Sequence, residues 1–127
     1  MNFATLVLKY YAQQVHLQTE FDKSKLENDP GKVAEVDVMF GKIQAITSFL
    51  QAATRTGDPG TITRKKLEQL DDYMRKIDTQ VQSIFESNPT FASMNKGYSE
   101  MSSEICTALL ALIMSMSEAD ASEEARD

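Results

Sequence analysis

The side chains that could perform acid–base or nucleophilic chemistry are few and scattered along this chain. The single histidine, His16, lies four residues before Glu20, and the single cysteine, Cys106, lies within an apolar run. Glu100 and Glu104 have the spacing that places two carboxylates on one face of a helix, a spacing that helical proteins often show without any catalytic role. An activated thiol needs a cationic or histidine neighbour, and the sequence places none beside Cys106. We therefore predict that the protein is not an enzyme.

The sequence does not predict a metal site or a phosphate site either. One histidine and one cysteine are too few for the multi-His and multi-Cys metal sites, and His16 does not follow a glutamate by three residues as a di-iron bundle requires. The segment Gly57-Asp58-Pro59-Gly60 lacks the Gly-Lys-Ser/Thr that follows in a phosphate-binding loop. It is predicted to be a turn, and no cofactor is expected.

The basic triplet Arg64-Lys65-Lys66 is more informative. It falls in the first turn of a predicted helix, where the helix dipole disfavours cations. A phosphate, an acidic partner or the chain's own acidic tail would offset that cost, so the functional hypothesis is that the triplet docks an acidic segment. The alternative is a solvated cluster. Nucleic acid is disfavoured, because the formal net charge is −6 and no wider basic field or aromatic platform surrounds the triplet.

Length, composition and charge set the broad class. A chain of 127 residues with 42% hydrophobic and 25% charged residues is typical of one soluble globular domain. No apolar run reaches the roughly 18 residues that span a bilayer. The first residues lack the pattern of a cleavable secretory signal, so we expect a cytoplasmic protein, with export by a route that needs no cleavable signal left open. Residues 118–127 carry five acids and one base, so most of the negative charge lies there.

Proline and glycine divide the chain into four long segments, with breaks at 28–31, 57–60 and 88–89. Within each segment, apolar residues recur at alternating intervals of three and four, which is helical spacing. Gln14 is the one polar residue in the first apolar stripe, where it could fix helix register or lie at the rim. The predicted fold is an all-α, antiparallel up-down four-helix bundle with helices at about 3–27, 32–54, 63–87 and 91–117, that is, a bundle domain at 1–117 and a disordered acidic tail at 118–127.

The fourth segment is apolar almost all the way round between Ile105 and Met116. Such a helix is either the most buried helix of a monomeric bundle or one whose second face meets another chain or another copy. Contact with a membrane surface is disfavoured by the acidic tail beside it.

These features lead to two hypotheses for function. The first is a helical protein-interaction module (an adaptor, chaperone or assembly subunit) that binds a partner helix. This is similar in class to the chaperones and filament subunits of bacterial secretion systems, although no motif identifies a family. The predicted partner-binding residues come from the first and fourth helices: Leu6, Val7, Tyr10, Tyr11, Met101, Ile105, Leu109, Leu112, Ile113 and Met116. The second is a self-contained bundle that binds a small apolar ligand or an acidic regulatory partner.

Overall fold

Four long helices make up the computed structural model, which describes residues 2–116. They are α1 (Phe3–Glu27), α2 (Val33–Thr54), α3 (Arg64–Glu86) and α4 (Ala92–Ser115). No strand occurs within the described range, and none of its helices is long and apolar enough to cross a membrane. The prediction of an all-α four-helix bundle is confirmed. The predicted acidic tail at 118–127 lies outside the described residues.

Short polar side chains begin and end the helices where the sequence changes. The Asn2 side chain accepts a hydrogen bond from the Thr5 backbone N–H at 2.8 Å, and Thr63 accepts one from the Lys66 N–H at 3.3 Å. Both satisfy amide groups that have no partner within the helix. Asn28 ends α1 in the left-handed conformation, with φ of 48°. A short 3-10 turn that starts at a proline then leads into α2, and another leads into α4.

The helices alternate in direction, and α2 and α4 form the central pair. Their mutual contact is the most extensive in the bundle, with α1 packed on α2 and α3 packed on α4. Along this pair Lys42 lies 3.9 Å from Glu100. One to two turns further on, the ring of Tyr10 packs on Phe49 and lies beside Glu104. The contacting residues therefore move toward the C-terminus of both helices, which means that α2 and α4 run parallel. They face each other across the short diagonal of the bundle.

A single core runs between the helices. The Phe49 side chain lies at its centre, and the rings of Phe3 and Tyr10 meet it edge-on at centroid distances of 6.2 and 5.5 Å. Gln14 lies at the rim of this core, where its Nε2 donates a hydrogen bond to Thr47 Oγ1 at 2.6 Å and so joins α1 to α2. The buried apolar residues that complete the core are Leu6, Ala45, Ile46, Ala52, Ala53, Leu67, Leu70, Met74, Tyr98, Met101, Ile105, Cys106, Leu109 and Ile113.

Candidate interaction surfaces

Most of the predicted partner-binding residues lie in the chain's own core. Each of six has at most 6% of its surface exposed: Leu6, Tyr10, Met101, Ile105, Leu109 and Ile113. Val7, Leu112 and Met116 are partly buried and pack against that core. Tyr11 differs, with 57% of its surface exposed. A partner could reach the six buried side chains only by opening the bundle.

The central position of α4 explains why its apolar residues are covered. A helix packed on α2 and α3, with α1 also nearby, needs apolar side chains on several sides. Among its large apolar residues, Leu110 and Met114 are the ones that remain exposed, at 44% and 73%. The apolar character of this segment is therefore accounted for by burial within one chain.

Among the described residues, an aligned set of exposed apolar side chains lies instead on α1. Leu8, Tyr11 and Val15 are 67%, 57% and 51% exposed, and their spacing of three and four residues places them on one side of the helix. We call these three residues the outer α1 stripe. They project away from Phe3 and Leu6, which face the core. Helix α1 thus carries apolar side chains on two opposite sides in its first half.

Of this stripe, only Tyr11 was among the partner-binding residues predicted from the sequence, although the spacing of all three residues is visible there. Positions 8, 11 and 15 repeat the heptad spacing of the core-facing set, offset around the helix. Two apolar stripes on one helix indicate two packed sides, and a four-helix bundle needs only one of them. Farther along the outer side, Gln18, Thr19 and Asp22 are polar and exposed, so the stripe covers only the first half of α1.

The basic triplet Arg64-Lys65-Lys66 opens α3, as predicted from the turn signals. Arg64 Nε donates to Glu68 Oε1 at 3.1 Å, and its Nη1 donates to the Met116 backbone oxygen at 3.5 Å. The side chains of Lys65 and Lys66 are exposed. The start of α3 and the last described residue of the chain are therefore in contact.

A polar groove lies between the outer sides of α3 and α4. It was not predicted from the sequence. Its cavity volume is about 420 Å³, and Arg75, Asp78, Ser102 and Cys106 are among its lining residues. The Arg75 guanidinium donates to Asp71 Oδ2 at 2.9 Å. The residues come from both helices at helical spacing, so the groove becomes visible only when α3 and α4 are placed side by side.

The groove is poorly suited to nucleophilic chemistry. Burial, and secondarily the Asp71 carboxylate, raise the pKa of the Cys106 thiol, so the reactive thiolate is disfavoured. Of the other chemical candidates, Glu100 is paired with Lys42, whereas His16 and Glu20 are exposed on α1. Within residues 2–116 no three histidine, cysteine or acidic side chains gather in a group that could hold a metal ion.

Comparison of the chain with models of protein families, with curated proteins and with solved structures finds no match.

Proposed function

We propose that this protein is a non-enzymatic helical interaction module that binds a partner helix on the outer side of α1. The single observation that supports this function is the outer α1 stripe, in which Leu8, Tyr11 and Val15 are each more than half exposed on one side of a helix. Isolated exposed apolar residues are ordinary, whereas an aligned set on a helix whose opposite side is already buried is typical of an interaction surface.

The chemistry of the stripe favours an amphipathic helix as the occupant. Apolar side chains spaced by three and four residues match the spacing of the apolar side of a second helix, as in helix-to-helix recognition. The tyrosine adds a hydroxyl at the edge of the contact, an arrangement common at interfaces. The partner we propose is a helix of another protein with apolar residues at heptad spacing.

The size of the stripe favours transient binding over a stable dimer of this chain. Three exposed side chains offer on the order of a few hundred Å² of apolar surface. A stable complex usually buries roughly 800 Å² on each partner. An adaptor or chaperone that must release its partner is consistent with such a small contact, and the formal charge of −6 adds repulsion between two copies.

The experiment compares Leu8→Glu with Ile84→Glu, because Leu8 and Ile84 are 67% and 64% exposed aliphatic residues on different helices. Each tagged variant is used to capture proteins from the cells that make the chain, and the bound proteins are quantified. A charge placed within an apolar contact should weaken a partner's binding by tenfold or more, by roughly 1.4 kcal/mol or above. We expect the partner to be retained by the wild type and by Ile84→Glu and lost from Leu8→Glu. Equal capture by the two variants would contradict the proposal.

Light scattering on the purified chain separates a partner helix from a second copy. We expect a monomer near 14.2 kDa across a concentration series. A dimer that Leu8→Glu dissociates would assign the stripe to self-association and overturn the proposal of a different partner.

A further inference from the structure

The polar groove between α3 and α4 has the size of a small-molecule site and a hydrophilic lining. Its volume of about 420 Å³ lies within the range of roughly 300–1,000 Å³ that is usual for ligand pockets. Ser102 and Cys106, which are 2% and 7% exposed, form the buried part of the lining. The other lining residues are all polar or charged: Arg75, Asp78, Thr79, Ser99, Ser103 and Thr107. Such a lining favours a ligand that is itself hydrophilic.

Asp78 supplies a buried, charged acceptor to this groove. Its Oδ1 atom has no hydrogen-bond partner among the described residues. Burial is the main cause of the raised pKa of the Tyr98 hydroxyl on α4, and the Asp78 carboxylate adds to it, which places this carboxylate between the two helices. A buried carboxylate oxygen without a hydrogen bond is costly, and native proteins usually supply a donor to such an atom. A ligand with an N–H group would supply that donor.

The α4 side of the groove carries a row of hydroxyl groups. A hydroxyl within a helix often donates to a carbonyl oxygen of the preceding turn, as Thr47 does to Ile43 at 2.9 Å. The hydroxyls of Ser99, Ser103 and Thr107 make no hydrogen bond to any described residue. Their spacing of four residues places them in line along the groove. Each can therefore both donate to and accept from the hydroxyl of a ligand.

The charges that line the groove favour a cation over an anion. The Arg75 guanidinium donates to Asp71 Oδ2 at 2.9 Å, so these two charges offset each other. Asp78 forms no ion pair within residues 2–116, which leaves one carboxylate in excess. An ammonium group has three N–H donors and no acceptor, and its hydrogen bond to a carboxylate is stronger than that of a neutral donor. A phosphate would instead meet the Asp78 carboxylate.

We propose that the groove binds a small hydroxylated amine, either an amino sugar or an amino alcohol. The ammonium group donates to Asp78 Oδ1, and the hydroxyls of the ligand exchange hydrogen bonds with Ser99, Ser103 and Thr107. An uncharged sugar offers the same hydroxyls without the charge-assisted bond, so it binds more weakly. This site lies on α3 and α4 and is separate from the outer α1 stripe, so it does not depend on the proposed partner helix.

The test is an NMR titration of the ¹⁵N-labelled full-length chain at pH 6.5 with glucosamine, ethanolamine and, as the uncharged control, glucose. We expect saturable shifts of the Ser99, Ser103 and Cys106 amide signals with the amines, and at least tenfold weaker binding of glucose. Asp78→Asn keeps the shape of the side chain and removes its charge, so it should weaken glucosamine binding tenfold or more. Asp72→Asn is the matched control on the same helix. The Asp72 side chain is 64% exposed and pairs with Lys76, so this variant should bind as the wild type does.

A second variant tests the hydroxyl row without endangering the fold. Thr107 is exposed, and Thr107→Val keeps its shape while it removes the hydroxyl. We expect this change to weaken glucosamine binding roughly threefold. Three results would each overturn the proposal: no saturable shift with either amine, equal binding of glucosamine and glucose, or equal affinity of Asp78→Asn and Asp72→Asn for glucosamine.

Discussion

Gly41 of α2 and Gly97 of α4 lie where the two central helices touch backbone to backbone. A Cβ atom on Gly41 would overlap the Met94 carbonyl oxygen, and one on Gly97 would overlap the Val38 carbonyl oxygen. Each glycine therefore faces the main chain of the other helix with no room for a side chain. This contact brings α2 and α4 together across the diagonal of the bundle and leaves α1 and α3 on its flanks.

We predict that Gly41→Ala and Gly97→Ala each destabilise the protein by about 3 kcal/mol or more, because backbone atoms must move apart. At an ordinary helix position the same change stabilises a protein by roughly 0.5–1 kcal/mol. Gly60→Ala is the control, since a Cβ there meets only Asp58 side-chain atoms, the nearest at 3.4 Å. Denaturant unfolding measures all three variants. A stabilised Gly97→Ala protein would show that the helices are not in backbone contact.

Among the described residues the buried Tyr10 hydroxyl has no partner in hydrogen-bond geometry. Burial, and after it the nearby Glu104 carboxylate, raise its pKa. Burying an unpaired hydroxyl costs free energy, so its removal should be neutral or favourable. We predict that Tyr10→Phe raises the free energy of unfolding at pH 7 by about 0.5–1 kcal/mol, whereas Tyr11→Phe, on the exposed side of the same helix, leaves it unchanged. A Tyr10→Phe variant less stable than the wild type would mean that the hydroxyl is hydrogen-bonded in solution.

Alkaline pH should destabilise the bundle through its buried tyrosines. Burial, the largest cause, raises the pKa of both Tyr10 and Tyr98, and nearby carboxylates add to this. Because the folded-state pKa values exceed the unfolded value near 10, this contribution is fully present below pH 10 and lost as the pH rises above it. We expect Tyr10 to contribute a loss of roughly 1 kcal/mol by pH 11, and Tyr98 to add a loss in the same direction. In Tyr10→Phe the fall between pH 9 and pH 11 should be smaller, and an equal fall in both proteins would exclude Tyr10 as a source.

Cys106 should react slowly with thiol reagents. Its side chain is 7% exposed, and burial raises the pKa of the thiol. We predict that alkylation of the folded protein at pH 8 is at least tenfold slower than alkylation in denaturant, because both access and thiolate fraction are reduced. Mass spectrometry of the modified fraction over time gives both rates. Equal rates would show that the groove between α3 and α4 opens readily.

The sequence contained enough to predict the helices and their ends. The breaks at 28–31, 57–60 and 88–89 separate segments with helical spacing, and capping residues such as Asn2 and Thr63 act locally. These features depend on neighbours within a few residues. The spacing of residue types along the chain is therefore enough to predict the helices and their ends.

The sequence alone does not show which apolar surfaces of the helices are buried and which are exposed. The spacing shows that Leu6 and Leu8 each belong to an apolar stripe of α1, and only the packing shows that Leu6 is 1% and Leu8 67% exposed. The contact of Gly41 with α4 likewise depends on which helices are diagonal neighbours. The groove that contains Ser102 forms between two helices, so neither helix alone indicates it.

Site-specific photo-crosslinking tests the proposed function most directly. A benzophenone amino acid replaces Tyr11 in one variant and Tyr73 of α3 in the other, because these tyrosines are 57% and 41% exposed. Each variant is irradiated in the cells that make the protein, and the cross-linked peptides are sequenced. We predict a cross-link from position 11, and none from position 73, to a helical segment of one other protein with apolar residues at heptad spacing. The absence of any cross-link at position 11, or the same products from both positions, would contradict a partner site on the outer side of α1.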